Sequence, residues 1–386
     1  MSSGSSGAIQ PVLPIVEDEP RERQSGIWPT QQIKAAIEIG DIRAAEAVLP
    51  EQIQPASLDL RLGGVAYRVP ASFLPGRHAT VADKLKLFAE EKIDLEQGAV
   101  LQTGCVYLVP LMETIRFKKR VSGVANPKSS TGRLDVFARV ITDYGMEFDR
   151  IPEKYSGPLW LEVAPRSFNV RLRRGSRLTQ VRIKSGSPPS SDSFARRLNE
   201  ECRFIPTDDG PANIKDGAIA LSVDLKGDPV TGIVGYRAKR TADHIDLDKI
   251  NHYDREAFWD CVYRPDRGGI ILETDAFHIL ATKEAVAVPG DVAADMVAYD
   301  TQVGEFRVHY AGFFDPGFGY SGNTAVGTPV VLEVRSHEVP FMIDDGQIVG
   351  RVLLERLTEP TSTPYGAGIG SSYQGQALTL SKHFKR

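Results

Sequence analysis

A chain of 386 residues is long enough for two or three domains. Hydrophobic residues at 41% and charged residues at 25% exclude a wholly disordered chain. A net charge of −4 offers no basic face for nucleic acid, and no apolar run is long enough to span a membrane, so neither is an expected partner.

Residues 1–24 open with MSSGSSGAIQ, which has neither a basic start nor an apolar core, and read as a flexible lead-in rather than a secretory signal. The first regular element is a helix beginning near Thr30. Thr30 is placed to cap it after Pro29, and Ile33, Ala36 and Ile37 recur on one face. Beyond it the chain breaks into short segments punctuated by 35 glycines and 25 prolines. Asn169–Arg173 alternates, Arg174-Gly175 turns, and Val181-Arg182-Ile183 resumes, a rhythm that predicts β-sandwich or barrel domains. Three isolated cysteines, Cys105, Cys202 and Cys261, argue against a disulfide framework and for a reducing, cytoplasmic setting.

The chain also echoes itself. Ser57–Gly63 (SLDLRLG) returns as Ser222–Gly227 (SVDLKG), with Asp59 and Asp224 165 residues apart. Leu161-Glu162-Val163 returns as Leu332-Glu333-Val334, and Gly175 as Gly346, both 171 residues on. A nearly constant offset predicts an internal duplication. The first domain is placed at 25–186, a Ser/Pro/Asp-rich linker at 187–211, the second domain at 212–358 and a Gly/Ser-rich tail at 359–386.

Three segments hold residues suited to chemistry. Pro127–Leu134 (PKSSTGRL) offers hydroxyls from Ser129 and Ser130, close backbone approach at Gly132, and charge from Lys128 and Arg133. These suit a phosphate-binding loop, although a plain turn has the same composition. Ala311–Phe318 (AGFFDPGF) contains an Asp-Pro-Gly turn whose aromatics, Phe313 among them, can wall a flat base while Asp315 accepts a hydroxyl hydrogen bond. The plainer reading is a buried turn in which Asp315 caps its own backbone. Glu162 and Glu333 each lie between apolar residues on a predicted strand, facing solvent or a pocket. In a pocket, burial raises the carboxyl pKa and yields a general base near neutrality.

In this order, with a YQGQ tail following, the segments resemble the dCTP deaminase family, which shares its fold with the trimeric dUTPases. The opening helix and Ile53–Gly63 resemble that family's first helix and strand, and the likeness runs from about residue 27 across both copies. The resemblance implies a mainly β chain: two tandem dUTPase-like distorted β-barrel or jelly-roll domains with a few short helices. It implies metal-free hydrolysis of dCTP to dUTP and ammonia, in the synthesis of pyrimidine deoxynucleotides. A strand glutamate, Glu333 or Glu162, would activate the water, and Ser129 and Arg133 would orient it and keep the carboxylate ionised. Lys128, Ser130, Gly132, Ala311, Phe313, Asp315, Tyr365, Tyr373 and Gln376 would bind substrate. Mg2+ is expected only on the triphosphate oxygens. The lack of a Cys-x-x-Cys pair argues against the zinc-water solution used by other deaminases.

The two copies have kept different parts. The first has KSSTGRL but reads Tyr144–Pro152 (YGMEFDRIP) where the turn belongs. The second has AGFFDPGF but reads Ala298–Glu305 (AYDTQVGE) where the loop belongs. Family members join the loop of one subunit to the turn and glutamate of its neighbour. Complementary loss in a fused pair therefore implies a composite site, with Ser129 and Arg133 from the first copy, Glu333 from the second, and residues 365–381 ordering over the substrate. Two alternatives stand beside this: a dUTP pyrophosphatase or a bifunctional deaminase and pyrophosphatase, and a non-catalytic nucleotide-binding regulator. Assembly into a homo-oligomer is left open.

Overall fold

The structure is a computed structural model and describes residues 25–188, 190–205, 212–240, 242–298, 306–309, 312–336, 339–366, 373 and 375–386. Strands dominate, as the short alternating segments predict. The described helices are Thr30–Glu38, Val81–Phe88, the single turn Ser129–Gly132, and Asp192–Cys202. None of them is long and apolar enough to cross a membrane.

In the first domain the strand Ser156–Pro165 runs antiparallel between Val106–Arg116 and Val136–Thr142. A second sheet places Thr179–Ser185 against both Leu58–Leu60 and Val121–Pro127. Val109, Leu161 and Val163 from one sheet and Leu58, Leu60 and Val181 from the other share one buried core. Such inward-facing apolar side chains are the main stabilising term of a two-sheet domain.

The second domain has the same order of pairing. Thr328–Ser336 runs between Phe277–Val286 and Phe306–His309. Ile348–Arg356 runs between Ala218–Ser222 and Val292–Ala298. Individual hydrogen bonds recur as well. Leu62 N–H donates to Ser176 O and accepts from Gly175 N–H at its own carbonyl; Val223 does the same with Gln347 and Gly346. Arg61 N–H donates to Glu113 Oε2 at 2.8 Å, and Ser222 N–H to Glu284 Oε2 at 2.7 Å.

These bonds align Leu62 with Val223, so the expected match of Asp59 with Asp224 is out of register. The two aspartates do different work. Asp59 is buried and ion-paired to Lys128, whereas Asp224 Oδ1 accepts the Lys226 N–H at 2.8 Å within its own turn. Similar letters fell on dissimilar places because a strand followed by a turn is a short and common pattern.

Three further expectations need correction. Thr30 is the first helical residue rather than the cap, which is Pro29; the Thr30 hydroxyl donates to the carbonyls of Gln54 (3.0 Å) and Pro55 (3.3 Å). It therefore ties the helix to the segment entering the strand Leu58–Leu60. Residues 187–211, read as a linker, contain the helix Asp192–Cys202, whose cap Ser191 accepts the Phe194 N–H at 3.2 Å. Ala195, Leu198 and Cys202 on its buried face join the second domain's core, so this stretch is structural. The polar N-terminal half of the segment masks that periodicity.

The Gly/Ser-rich, polar composition of the tail predicts mobility unless it docks, and its end is docked. Phe384 is 3% exposed, 5.5 Å from the Phe258 ring and 5.9 Å from Trp259, and joins the core of the first domain. Residues 367–372 and 374, where ordering on substrate is expected, lie outside the described residues.

Candidate active site

The strand Val121–Pro127 delivers the chain to Lys128, whose N–H donates to Leu178 O at 2.9 Å. The next residues coil into one helical turn, closed by Arg133 N–H to Ser129 O at 3.0 Å. Asp135 then takes a left-handed φ of 56°, which swings the chain into the next strand. The tight turn buries Ser130, Thr131 and Arg133. Lys128 is drawn to the Asp59 carboxylate, with Arg177 3.7 Å from the same oxygen.

Facing this turn across the domain boundary is Phe313–Phe318. Gly317 has φ 97°, and a Cβ there would lie 2.8 Å from Tyr365 N, so only glycine fits. Tyr365 N–H donates to Pro316 O at 2.7 Å and its ring packs 5.8 Å from Phe318, which fastens the start of the tail to the turn. Burial pushes the Asp315 carboxyl up, and Arg182 beside it pulls it back.

Between the two domains lies a cavity of about 560 Å³. Glu333 reaches it from the middle of Thr328–Ser336. Burial pushes its carboxyl up to about 8, against the opposing pull of Arg133. Arg133 Nη1 donates to Gln376 Oε1 at 2.9 Å and Thr379 O at 2.8 Å, and the guanidinium lies 3.9 Å over the Tyr373 ring. Ser381 Oγ donates to Ser130 O at 2.8 Å, so three hydrogen bonds join loop and tail.

Ser129, Ser130, Lys128 and Arg133 therefore line one cavity with Phe313, Asp315, Glu333, Tyr365, Tyr373 and Gln376. Gly132 sits within the loop turn rather than on the cavity wall, and Ala311 lies outside the described residues. Glu162 is elsewhere. It is wholly buried in the first domain, where Arg139 donates to its Oε1 from Nε at 2.9 Å and again from Nη2. Arg139 itself lies 3.9 Å over Phe148, in the segment that replaces the turn.

Sequence reading passed over four residues at the cavity or against it: Asp59, Arg182, Lys382 and His383. Asp59 was noticed only as a repeat marker. Lys382 and His383 line the cavity from the tail's end, and His383 is pushed down to about 4, chiefly by burial. Arg182 stands between Val181 and Ile183 on a strand covered on both faces. An arginine in such a place needs partners, which was the available signal.

The family model described as the N-terminal domain of 2'-deoxycytidine 5'-triphosphate deaminase matches residues 24–187. The model for the C-terminal domain matches residues 191–384. Among solved structures, the chain is similar to 2'-deoxycytidine 5'-triphosphate deaminase from Agrobacterium tumefaciens, with 48% identity and a TM-score of 0.83 over 87% of this chain and 100% of that one. Among curated proteins it is similar to the "dCTP deaminase, dUMP-forming" of Mycobacterium marinum. The two are 32% identical over 120 residues, covering 30% of this chain and 59% of that protein. The protein of the same description from Kocuria rhizophila is 36% identical over 110 residues, covering 28% of this chain and 53% of that protein. The chain thus spans somewhat more than half the length of these curated relatives.

Proposed function

The chain belongs to the 2'-deoxycytidine 5'-triphosphate deaminase family, and from that premise we propose that it hydrolyses dCTP to dUTP and ammonia at one composite site between its domains. The observation that carries this reading is the meeting of Glu333 with Ser129 and Arg133 in a single cavity, although they belong to different domains.

Glu333, in its ionised form, takes a proton from water, and the resulting hydroxide adds to C4 of the cytosine ring. Glu333 passes that proton to N3, then takes the proton of the new C4 hydroxyl and hands it to the amine, so that the C4–N bond breaks, a C4 carbonyl forms and ammonia leaves. Arg133 favours the carboxylate form electrostatically, and Ser129 offers a hydroxyl to orient the water. Phe313 supplies an apolar wall for the ring and Asp315 an acceptor for a sugar hydroxyl. Lys128, Ser130, Lys382 and Gln376 face the triphosphate, with Tyr365 and Tyr373 closing the site.

Two cavity carboxylates are already held by basic side chains: Asp59 by Lys128, and Asp248 by Arg173 at 2.5 Å. In this reading Mg2+ therefore arrives on the triphosphate oxygens. The recurring hydrogen bonds support reading the two domains as copies of one ancestor, each having lost what the other kept. The free cysteines suit a cytoplasmic setting.

A second reading carries the reaction on to dUMP, as the names of the mycobacterial and Kocuria relatives say of those proteins. Incubation with dCTP and Mg2+ separates the cases. Ammonia with dUTP supports deamination alone, and ammonia with pyrophosphate and dUMP supports the bifunctional enzyme. Nucleotide binding with no product means a regulator and overturns both.

A further inference from the structure

Among the described residues Arg182 is the largest fully buried side chain, 1% exposed, and it belongs to a strand of the first domain. Its guanidinium crosses into the second domain. There Nη1 donates to the Asp295 carboxylate and, at 3.2 Å, to Ala294 O. Nη2 reaches Phe314 O at 3.4 Å and Asp315 Oδ1 at 3.3 Å, and the group lies 4.1 Å over the Phe313 ring.

These contacts converge on one feature. Ala294 and Asp295 pair in register with Phe314 and Phe313, so Arg182 clasps both strands from which the Asp-Pro-Gly turn emerges. Asp315, the last residue of that grip, lines the cavity. The duplication offers an internal control. The strand position equivalent to Arg182 in the second domain is Leu353, as the pairings Arg182–Val124 and Leu353–Asp295 indicate. A charge stands at this place in one copy only, and its reach ends at the one intact turn.

We propose that Arg182 is a positioning residue of the composite site, holding the Asp315 carboxylate as a fixed hydrogen-bond acceptor that selects nucleotides bearing a sugar 3'-hydroxyl. A guanidinium fork bound to two carboxylates and two carbonyls fixes the acceptor in direction as well as place. An acceptor fixed in a desolvated wall favours a ligand that brings a donor and penalises one that leaves it unpaired. The inference rests on the dCTP reading given above.

The test compares calorimetric binding of dCTP and 2',3'-dideoxycytidine triphosphate, with Mg2+, to the full chain carrying Glu333→Gln to stop turnover. We expect dCTP to bind more tightly by about ten- to a hundredfold, the scale of one hydrogen bond to a charged group. Adding Arg182→Met should bring that ratio close to one, and Arg182→Lys should give an intermediate ratio. Asp315→Asn should also flatten it, and combining Asp315→Asn with Arg182→Lys should add nothing further. Because Arg182→Met leaves the buried Asp315 and the half-buried Asp295 carboxylates without their cation and can fail to fold, the Lys and Asn variants decide the matter in that event. A merely structural Arg182 would weaken both nucleotides alike, and an unchanged ratio overturns the inference while leaving the deaminase reading intact. Absence of dCTP binding to the parent chain overturns both.

Discussion

Glu162 and Glu333 occupy the same place in two domains of the same topology, yet their surroundings differ. Each lies mid-strand, with its neighbours in register: Leu108 and Arg139 for Glu162, Ile279 and His309 for Glu333. Arg139, on the adjacent strand, binds Glu162 through two nitrogens. The cation facing Glu333 comes from the other domain, and its Nη1 is bonded to the tail. A buried carboxylate clasped by its own sheet is a structural ion pair. One whose partner lies across a cavity can be reached by a ligand. The difference teaches that a strand glutamate acquires its role from where its cation is rooted.

The comparison breaks most sharply on turnover. Glu333→Gln should lower kcat by a few powers of ten with dCTP binding largely kept, while Glu162→Gln should change kcat by less than about threefold. Steady-state ammonia release measures both, and the reverse order would sink the composite site. Arg133→Ala, in the first domain, should cost kcat about a hundredfold or more, tying that domain to the chemistry of the second.

Stability should follow the opposite pattern. Phe384→Ala should destabilise the chain by about 3–5 kcal/mol by emptying part of an aromatic core, read as a fall in denaturation midpoint. Truncation after Pro364 should therefore harm folding as well as activity. Arg139→Met should cost about 1–3 kcal/mol, since it strands Glu162 but begins from a partly exposed guanidinium, and should leave kcat near its starting value. The smallest effect concerns pH. With the Glu333 carboxyl held up to about 8, kcat/KM should rise as the group ionises, with its midpoint near that pH. That rising limb should disappear in Glu333→Gln.

Much of this was legible in the residues themselves. Ser-Ser-x-Gly-Arg, Asp-Pro-Gly and the Leu-Glu pairs each carry weak local signals, but their order and the presence of different parts in the two halves pointed to one cavity. What escaped was long-range. Arg182 reads as one more strand residue until its partners at 294–315 are brought beside it. The helix at 192–202 was hidden behind a polar start, and Asp59 and Asp224 were matched by letter rather than by hydrogen bond. Phe384 lies among polar residues near the chain's end, where nothing local marks it as core.

The anchoring of Phe384 has a consequence for how the molecule is made. Synthesis runs from the amino end, and domains generally fold as they emerge. Here the first domain cannot finish its core on emerging, because Phe258, Trp259, Phe277 and finally Phe384 complete it. Its last piece, Phe384, leaves the ribosome long after the first domain's own strands have emerged. The cavity between the domains closes at the same moment, since Gln376 and Ser381 help tie the loop down. A chain cut short before Phe384 would lack both this packing and the bonds that join tail to loop, so completion of the first domain's core and closure of the cavity become one event.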